Sequence, residues 1–169
     1  MAIAAVGWNE LTVGARAGEL DKGPVTTAHI MRWSAAVENW HRIHYDQRFA
    51  TGHDKLPDVL INGSWKQHVL VQLAKDALGP DGWLWKIKFR YKKMDVAGDA
   101  IRASAEIVAR QEIDGFGFVT LRVRLTNQKD EVSTAGFAIG VLPLPGGPKL
   151  PYPFIAKPAY DAVQMPADE

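Results

Sequence analysis

The chain has no cysteine anywhere in its 169 residues. That excludes disulfides, thiolate nucleophiles and sulfur-ligated zinc. It fits a reducing compartment. An excess of either charge is missing too: the formal net charge is +1, so nothing argues for bulk attraction to nucleic acid or to a membrane surface. The amino-terminal Met-Ala-Ile-Ala-Ala-Val-Gly-Trp lacks a basic leader with a long apolar run, so no signal peptide is expected. No apolar run approaches the length of a membrane span. The expectation is one cytoplasmic domain with an ordinary hydrophobic core.

What the chain does have is a dense polar segment. Within Ser34–Ala50 lie Asn39, His41, His44 and Asp46. Histidine titrates near neutrality without help. Two of them three residues apart, with amide and carboxylate neighbours, make a candidate proton-transfer site. A histidine pair at this spacing also serves simply to brace a turn, and both readings stand at this level. His41, His44 and Asp46 further match the ligand types of a two-histidine, one-carboxylate metal site, although nothing in the spacing fixes its geometry.

Periodicity organises the rest. Trp8–Val13 reads as a short strand and Gly14–Thr27 as a loop punctuated by Gly23-Pro24. Trp33, Ala36, Val37 and Trp40 share one face of a predicted helix over Met31–Trp40. Residues 41–58 are polar, with Gly52 and Pro57 as breakers. A second helix opens at Asn62-Gly63-Ser64, carries a broad apolar face from Trp65 to Leu78, and stops at Gly79-Pro80. A helix so apolar is expected to be wrapped by other structure.

Beyond Gly82 the period becomes two. Trp83, Trp85, Ile87, Phe89 and Tyr91 alternate with Leu84, Lys86, Lys88, Arg90 and Lys92. Further alternating runs follow at Ile101–Ala109, Val119–Leu125 and Ala135–Val141, separated by turn signals at Val96–Asp99, Asp114-Gly115 and Asn127–Asp130. An antiparallel meander packed on the apolar helix is predicted. This is the outline of an α+β hot-dog fold, over residues 1–142. Prolines 143, 145, 148, 151, 153, 158 and 166 make residues 143–169 an extended tail, lying on the surface or on a partner.

These elements carry a family resemblance. Ile43-His44-Tyr45-Asp46, with Ala50 six residues after His44, resembles the signature of MaoC-like dehydratases, which include (R)-specific enoyl-CoA hydratases. Arg32–Ala36 looks like the approach to that signature, Val59–Gly63 like the lead into the family's hot-dog helix, and Gly98-Asp99 like its Gly-Asp turn. The similarity runs from Leu11 to Leu142. One departure stands out. The family's usual aspartate, five residues before the histidine, is Asn39 here. The run from Asn39 to Asp46 is similar to a branch of mitochondrial-type 3-hydroxyacyl-thioester dehydratases and mesaconyl-CoA-type hydratases.

The resemblance implies reversible addition of water to a trans-2-enoyl thioester, carried on CoA or a carrier protein, with no further cofactor and no metal. It implies His44 as acid and base, and the N–H of Gly63 as donor to the thioester oxygen. An amide accepts no proton usefully, so Asn39 would position water, with His44 making both transfers or sharing them with His41. Asn62 and Ser64, flanking Gly63, join the substrate-binding set. Lys86, Lys88 and Arg90, within the basic strip that runs on to Lys92 and Lys93, are candidate partners for CoA phosphates. Trp40 is a candidate wall of an acyl pocket suited to a bulky or flat group. Asp46 reads as a brace. The expected assembly is a homodimer, or a heterodimer with another hot-dog subunit. Two other functions fit less of the pattern: a non-catalytic subunit, motivated by Asn39, and a hot-dog thioesterase, whose expected carboxylate near the helix start is not evident, although Asp58 is not far away.

Overall fold

The computed structural model describes residues 7–167. Five strands form one antiparallel sheet: β1 (Arg16–Pro24), β2 (Trp83–Tyr91), β3 (Ala100–Ile113), β4 (Phe116–Thr126) and β5 (Val132–Pro143). Their spatial order is β1-β3-β4-β5-β2. Three helices precede β2: α1 (Thr27–Ala36), α2 (Gln47–Gly52) and α3 (Gly63–Leu78).

The apolar helix is where its sequence places it. Val69, Leu70, Leu73, Ala74 and Leu78 are buried against Ala103, Ala105, Ile107, Leu121, Val123, Leu125 and Ala138 of the sheet. Burying each large aliphatic side chain is worth about 1.5–3 kcal/mol. The helix end lies tight on β5: a Cβ at Gly140 would fall 2.1 Å from Leu78 Cδ2. Only glycine leaves room there.

Four sequence expectations are corrected. Trp8–Val13 is not a strand. Trp8–Glu10 is a 3-10 turn in which Trp8 is buried, donates from Nε1 to Glu112 Oε1 at 2.8 Å and lies under the Arg110 guanidinium. Gly14–Thr27 is not a loop, because Arg16–Pro24 pairs with β3 and turns Ala17 inward. A polar edge strand carries too little apolar alternation to be read from sequence. The helix expected over Met31–Trp40 begins and ends earlier. Thr26 caps it reciprocally with His29 (His29 N to Thr26 Oγ1 3.3 Å, Thr26 N to His29 Nδ1 3.2 Å), and Glu38 at φ 53° lies beyond its end. The meander holds only for β3-β4-β5, since β2 pairs with β5 at the far edge.

Strand β2 holds a second surprise. A register shift between Leu84 and Lys86 switches which side chains face α3. Leu84, Ile87 and Phe89 pack into the helix-side core, whereas Trp83 and Trp85 pack on the opposite face. The five aromatic and aliphatic residues expected on one face are therefore split between two. The outward tryptophans meet the proline-rich tail. Phe154, Tyr160 and Val163 close over Trp85, Phe118, Ile139 and Val141 as a second core. No helix of the described residues is long and apolar enough to cross a membrane.

Candidate active site

The polar segment folds as two short turns that hold His44 between them. After α1, Asn39 N–H donates to Ser34 O (2.9 Å), and Asn39 Oδ1 accepts from His41 N–H (3.3 Å). His41 then caps a 3-10 turn, Arg42–His44, through its Nδ1. Asp46 caps α2, accepting from Phe49 N–H at 3.0 Å, and holds Arg42 through Nε at 3.0 Å and Nη2 at 2.7 Å. The Arg42 hydrogen bonds and the Phe49 amide keep the Asp46 carboxyl below the usual carboxylate range. Asp46 is a brace, fully committed to local partners. It gathers no metal set with His41 and His44 among the described residues.

His44 differs from its neighbours. It is 6% exposed, whereas His41 is on the surface with its ring centroid 6.3 Å away. Nδ1 of His44 lies 2.8 Å from Leu60 O. A carbonyl oxygen only accepts, so Nδ1 carries the proton and Nε2 keeps its lone pair. Burial lowers the His44 pKa. The Leu60 bond opposes that shift, and His41 nearby adds to it. The neutral, basic imidazole is thus the form the fold favours.

Leu60 ties this ring to the start of α3. Its N–H donates to Ile43 O (2.8 Å), and it forms a β-bridge with Val96. Two residues further on stands Asn62, which is 1% exposed. Its amide is spent on Ser34 Oγ (3.0 Å) rather than on capping the helix. In this chain Asn62 locks α1 to α3. The N–H groups of Gly63 and Ser64 have no partner among the described residues. They point a partial positive charge outward at the helix start. Ser64 Oγ accepts from Trp33 Nε1–H at 2.8 Å.

Sequence reasoning missed two groups here. Tyr91 donates from its hydroxyl to Gly63 O at 2.7 Å, and partial burial raises its pKa, so it remains a donor. A Cβ at Gly63 would lie 3.0 Å from the Tyr91 ring. Any side chain at this position would need the Tyr91 ring to give way. The second is a buried ion pair. Lys66 Nζ lies 2.6 Å from Asp95 Oδ2 with both side chains almost fully buried (3% and 0% exposed), and it donates to Lys93 O at 3.0 Å. The carboxylate contact lies off the hydrogen-bond line, so charge holds it rather than a directed bond. Asp95 O in turn accepts from Ile61 N–H at 2.9 Å. A lysine four residues before Leu70, on an otherwise apolar helix face, was the available signal.

The remaining candidates lie apart from this cluster. Lys88 and Arg90 alternate with the inward Ile87 and Phe89, so they project from the opposite face of the sheet; Lys86 Nζ sits 3.9 Å over the outward Trp85 ring. Trp40 is 57% exposed, with its carbonyl held by the Tyr45 hydroxyl at 2.9 Å. Asp58 is occupied by Gln47 Nε2 (3.2 Å) and Val59 N–H (2.7 Å).

Solved structures share this architecture. The (R)-hydratase from A. caviae involved in PHA biosynthesis aligns with a TM-score of 0.68 and 21% identity, over 80% of this chain and 98% of that one. R-hydratase PhaJ1 from Pseudomonas aeruginosa aligns with a TM-score of 0.70 and 15% identity, over 90% and 93%. The ChsH1–ChsH2 complex from Mycobacterium tuberculosis matches at 0.66 and 20%, over 78% and 98%. The chain has a hot-dog fold. No curated protein sequence matches it. The family model of hydroxyacyl-thioester dehydratases type 2 matches residues 17–99, a little under half of this hot-dog chain, from β1 to the turn before β3. That span includes His44 and Gly63.

Proposed function

We propose that the chain is a MaoC-like hydro-lyase that interconverts a trans-2-enoyl thioester and its 3-hydroxyacyl thioester. The observation that carries this reading is the His44 ring: Nδ1 is pinned to Leu60 O, Nε2 is left basic, and Leu60 leads directly into the unpartnered amides of Gly63 and Ser64. In the hydration direction, Nε2 takes a proton from water as the oxygen bonds to C3. Electron density moves onto the thioester oxygen, which accepts from the Gly63 N–H. The imidazolium then returns the proton to C2 as the enolate collapses. One base near the working pH serves both transfers. A donor at the oxyanion is worth about 3 kcal/mol of barrier. The family model and the (R)-hydratases among the structural neighbours support the same reaction class.

Asn39 supports a second reading. Its side-chain carbonyl braces the turn to His41, and it supplies no carboxylate. On that reading the chain is the non-catalytic member of a hot-dog pair. Purified protein assayed with crotonyl-CoA, beside His44→Ala, separates the two. Hydration that His44→Ala abolishes supports the enzyme. No hydration of several enoyl thioesters, with activity restored by a second hot-dog protein, supports the subunit.

A further inference from the structure

Two clefts flank the start of α3, and they differ in charge. One, of about 640 Å³, is lined by Tyr91, Lys92, Lys93 and Lys129 together with Asp99 and Glu131. Lys93 is ion-paired with Glu131 at 2.6 Å, so acids balance much of its basic charge. The other, of about 620 Å³, lies between the end of β1, α1 and α3. Its walls are Val25, Trp33 and Trp65. Its cations are Lys22 and Arg32, with the His29 ring between them in sequence, and no acidic residue lines it.

The cations of this second cleft are set up to receive an anion. Arg32 makes no hydrogen bond or ion pair among the described residues. Lys22 Nζ is held by a neutral group, Gln72 Oε1, at 2.7 Å, so its charge is placed but not cancelled. His29 Nδ1 accepts from Thr26 N–H, which leaves Nε2–H as a donor in the neutral ring. The inner end of the cleft touches the candidate site, because Trp33 bonds Ser64 beside Gly63. At the outer end stands Lys22, held by Gln72 of α3. At 1.5 Å per residue, Gly63 and Gln72 stand about 14 Å apart along α3. An extended pantetheine arm spans that distance between its sulfur and its first phosphate.

We propose that this cleft seats the coenzyme A portion of the substrate, with the pantetheine between Trp33 and Trp65 and the phosphates on Lys22, His29 and Arg32. The assignment rests on the thioester reading above, and it commits to CoA rather than a carrier protein. The basic strip of β2 faces the other side of the sheet. The cleft supplies on the helix side what that strip does not: apolar walls for the arm, then cations for the phosphates.

The test compares crotonyl-CoA with crotonyl-N-acetylcysteamine, which keeps the thioester but has no phosphate. In the double variant K22Q/R32A the ratio of KM for crotonyl-CoA to KM for the short thioester should rise at least ten-fold. K129Q, in the opposite cleft, should leave that ratio at the wild-type value. A ratio unmoved in K22Q/R32A overturns the assignment. Binding of free CoA and of adenosine 3′,5′-bisphosphate, followed by calorimetry and by tryptophan fluorescence, tests it without turnover. Binding that K22Q/R32A weakens ten-fold or more upholds the cleft even if no thioester is hydrated. Hydration of a carrier-protein thioester, with no binding of CoA, overturns it while leaving the hydro-lyase reading intact.

Discussion

Nδ1 of His44 and the carbonyl oxygen of Leu60 lie 2.8 Å apart, and this single bond decides which nitrogen of the ring is free to act. It also makes the candidate imidazole a dependant of the segment that leads into α3. His44→Ala should lower kcat/KM by 10²–10⁴-fold, the usual worth of a positioned general base. His44→Gln should do the same, since an amide takes no proton. Steady-state hydration kinetics check both, and a variant within three-fold of wild type would remove His44 from the mechanism.

The pH dependence follows from the lowered pKa of the same ring. On the proposed mechanism the reaction begins with neutral His44, so kcat/KM should rise with pH through a midpoint below about 6.5, the ordinary histidine value, and level off above it. Stability has a matching sign. Protonation is easier in the unfolded chain, so the contribution is complete above about 6.5 and is lost as pH falls through the lowered folded pKa. Denaturant midpoints measured across that window should fall in wild type and fall less in His44→Ala.

Gly63→Ala should strike at Tyr91. The added methyl sits 3.0 Å from the phenol ring, forcing it off the Gly63 carbonyl. Loss of that bond costs about 1 kcal/mol, and the displaced ring crowds the helix start. Turnover should fall at least ten-fold. The double variant G63A/Y91A, which removes the obstructing ring, should recover more activity than Gly63→Ala retains. Equal rates in the two variants would show that Tyr91 is not what the glycine accommodates.

Lys66 and Asp95 offer a sharper stability test. Lys66→Met leaves Asp95 buried without its counter-charge, at a cost of about 3–5 kcal/mol. Replacing both, as K66M/D95L, should cost less than either single change, because no lone charge is left behind. Urea unfolding of the three variants measures the coupling. Additive losses would show that the two side chains do not depend on each other.

Tyr160→Ala should loosen the tail. Its ring is 1% exposed, stacks on Phe154 and meets Phe118 at a tilt; removing a buried aromatic costs about 3–5 kcal/mol. Protease cleavage after Lys149 or Lys157 should become faster than in wild type, while α3 remains protected in hydrogen exchange.

The central helix and strands β3 to β5 are legible in the sequence because one period dominates each: apolar residues along one face from Trp65 to Leu78, and strict alternation at Ile101, Val119 and Ala135 onwards. β1 is not legible, since Arg16, Glu19, Asp21 and Lys22 are edge residues whose strand form comes from pairing with β3. The candidate site divides the same way. His44 and Gly63 stand out by residue type and order. Tyr91 and the Lys66–Asp95 pair are long-range partners that only the folded chain brings to the helix start. For Lys86, Lys88 and Arg90 the charge pattern shows a common face but not which side of the sheet that face takes.

The register shift in β2 has a consequence for how such a chain tolerates insertions. One extra residue near Leu84 turns two indoles away from the helix and hands them to the carboxy-terminal segment as an anchor. Deleting a single residue there would reverse the hand-off, driving a tryptophan into a space sized for leucine and stripping the tail of its hold. The length of this edge strand is therefore as constrained as its composition, and it governs the fate of a segment some sixty residues downstream.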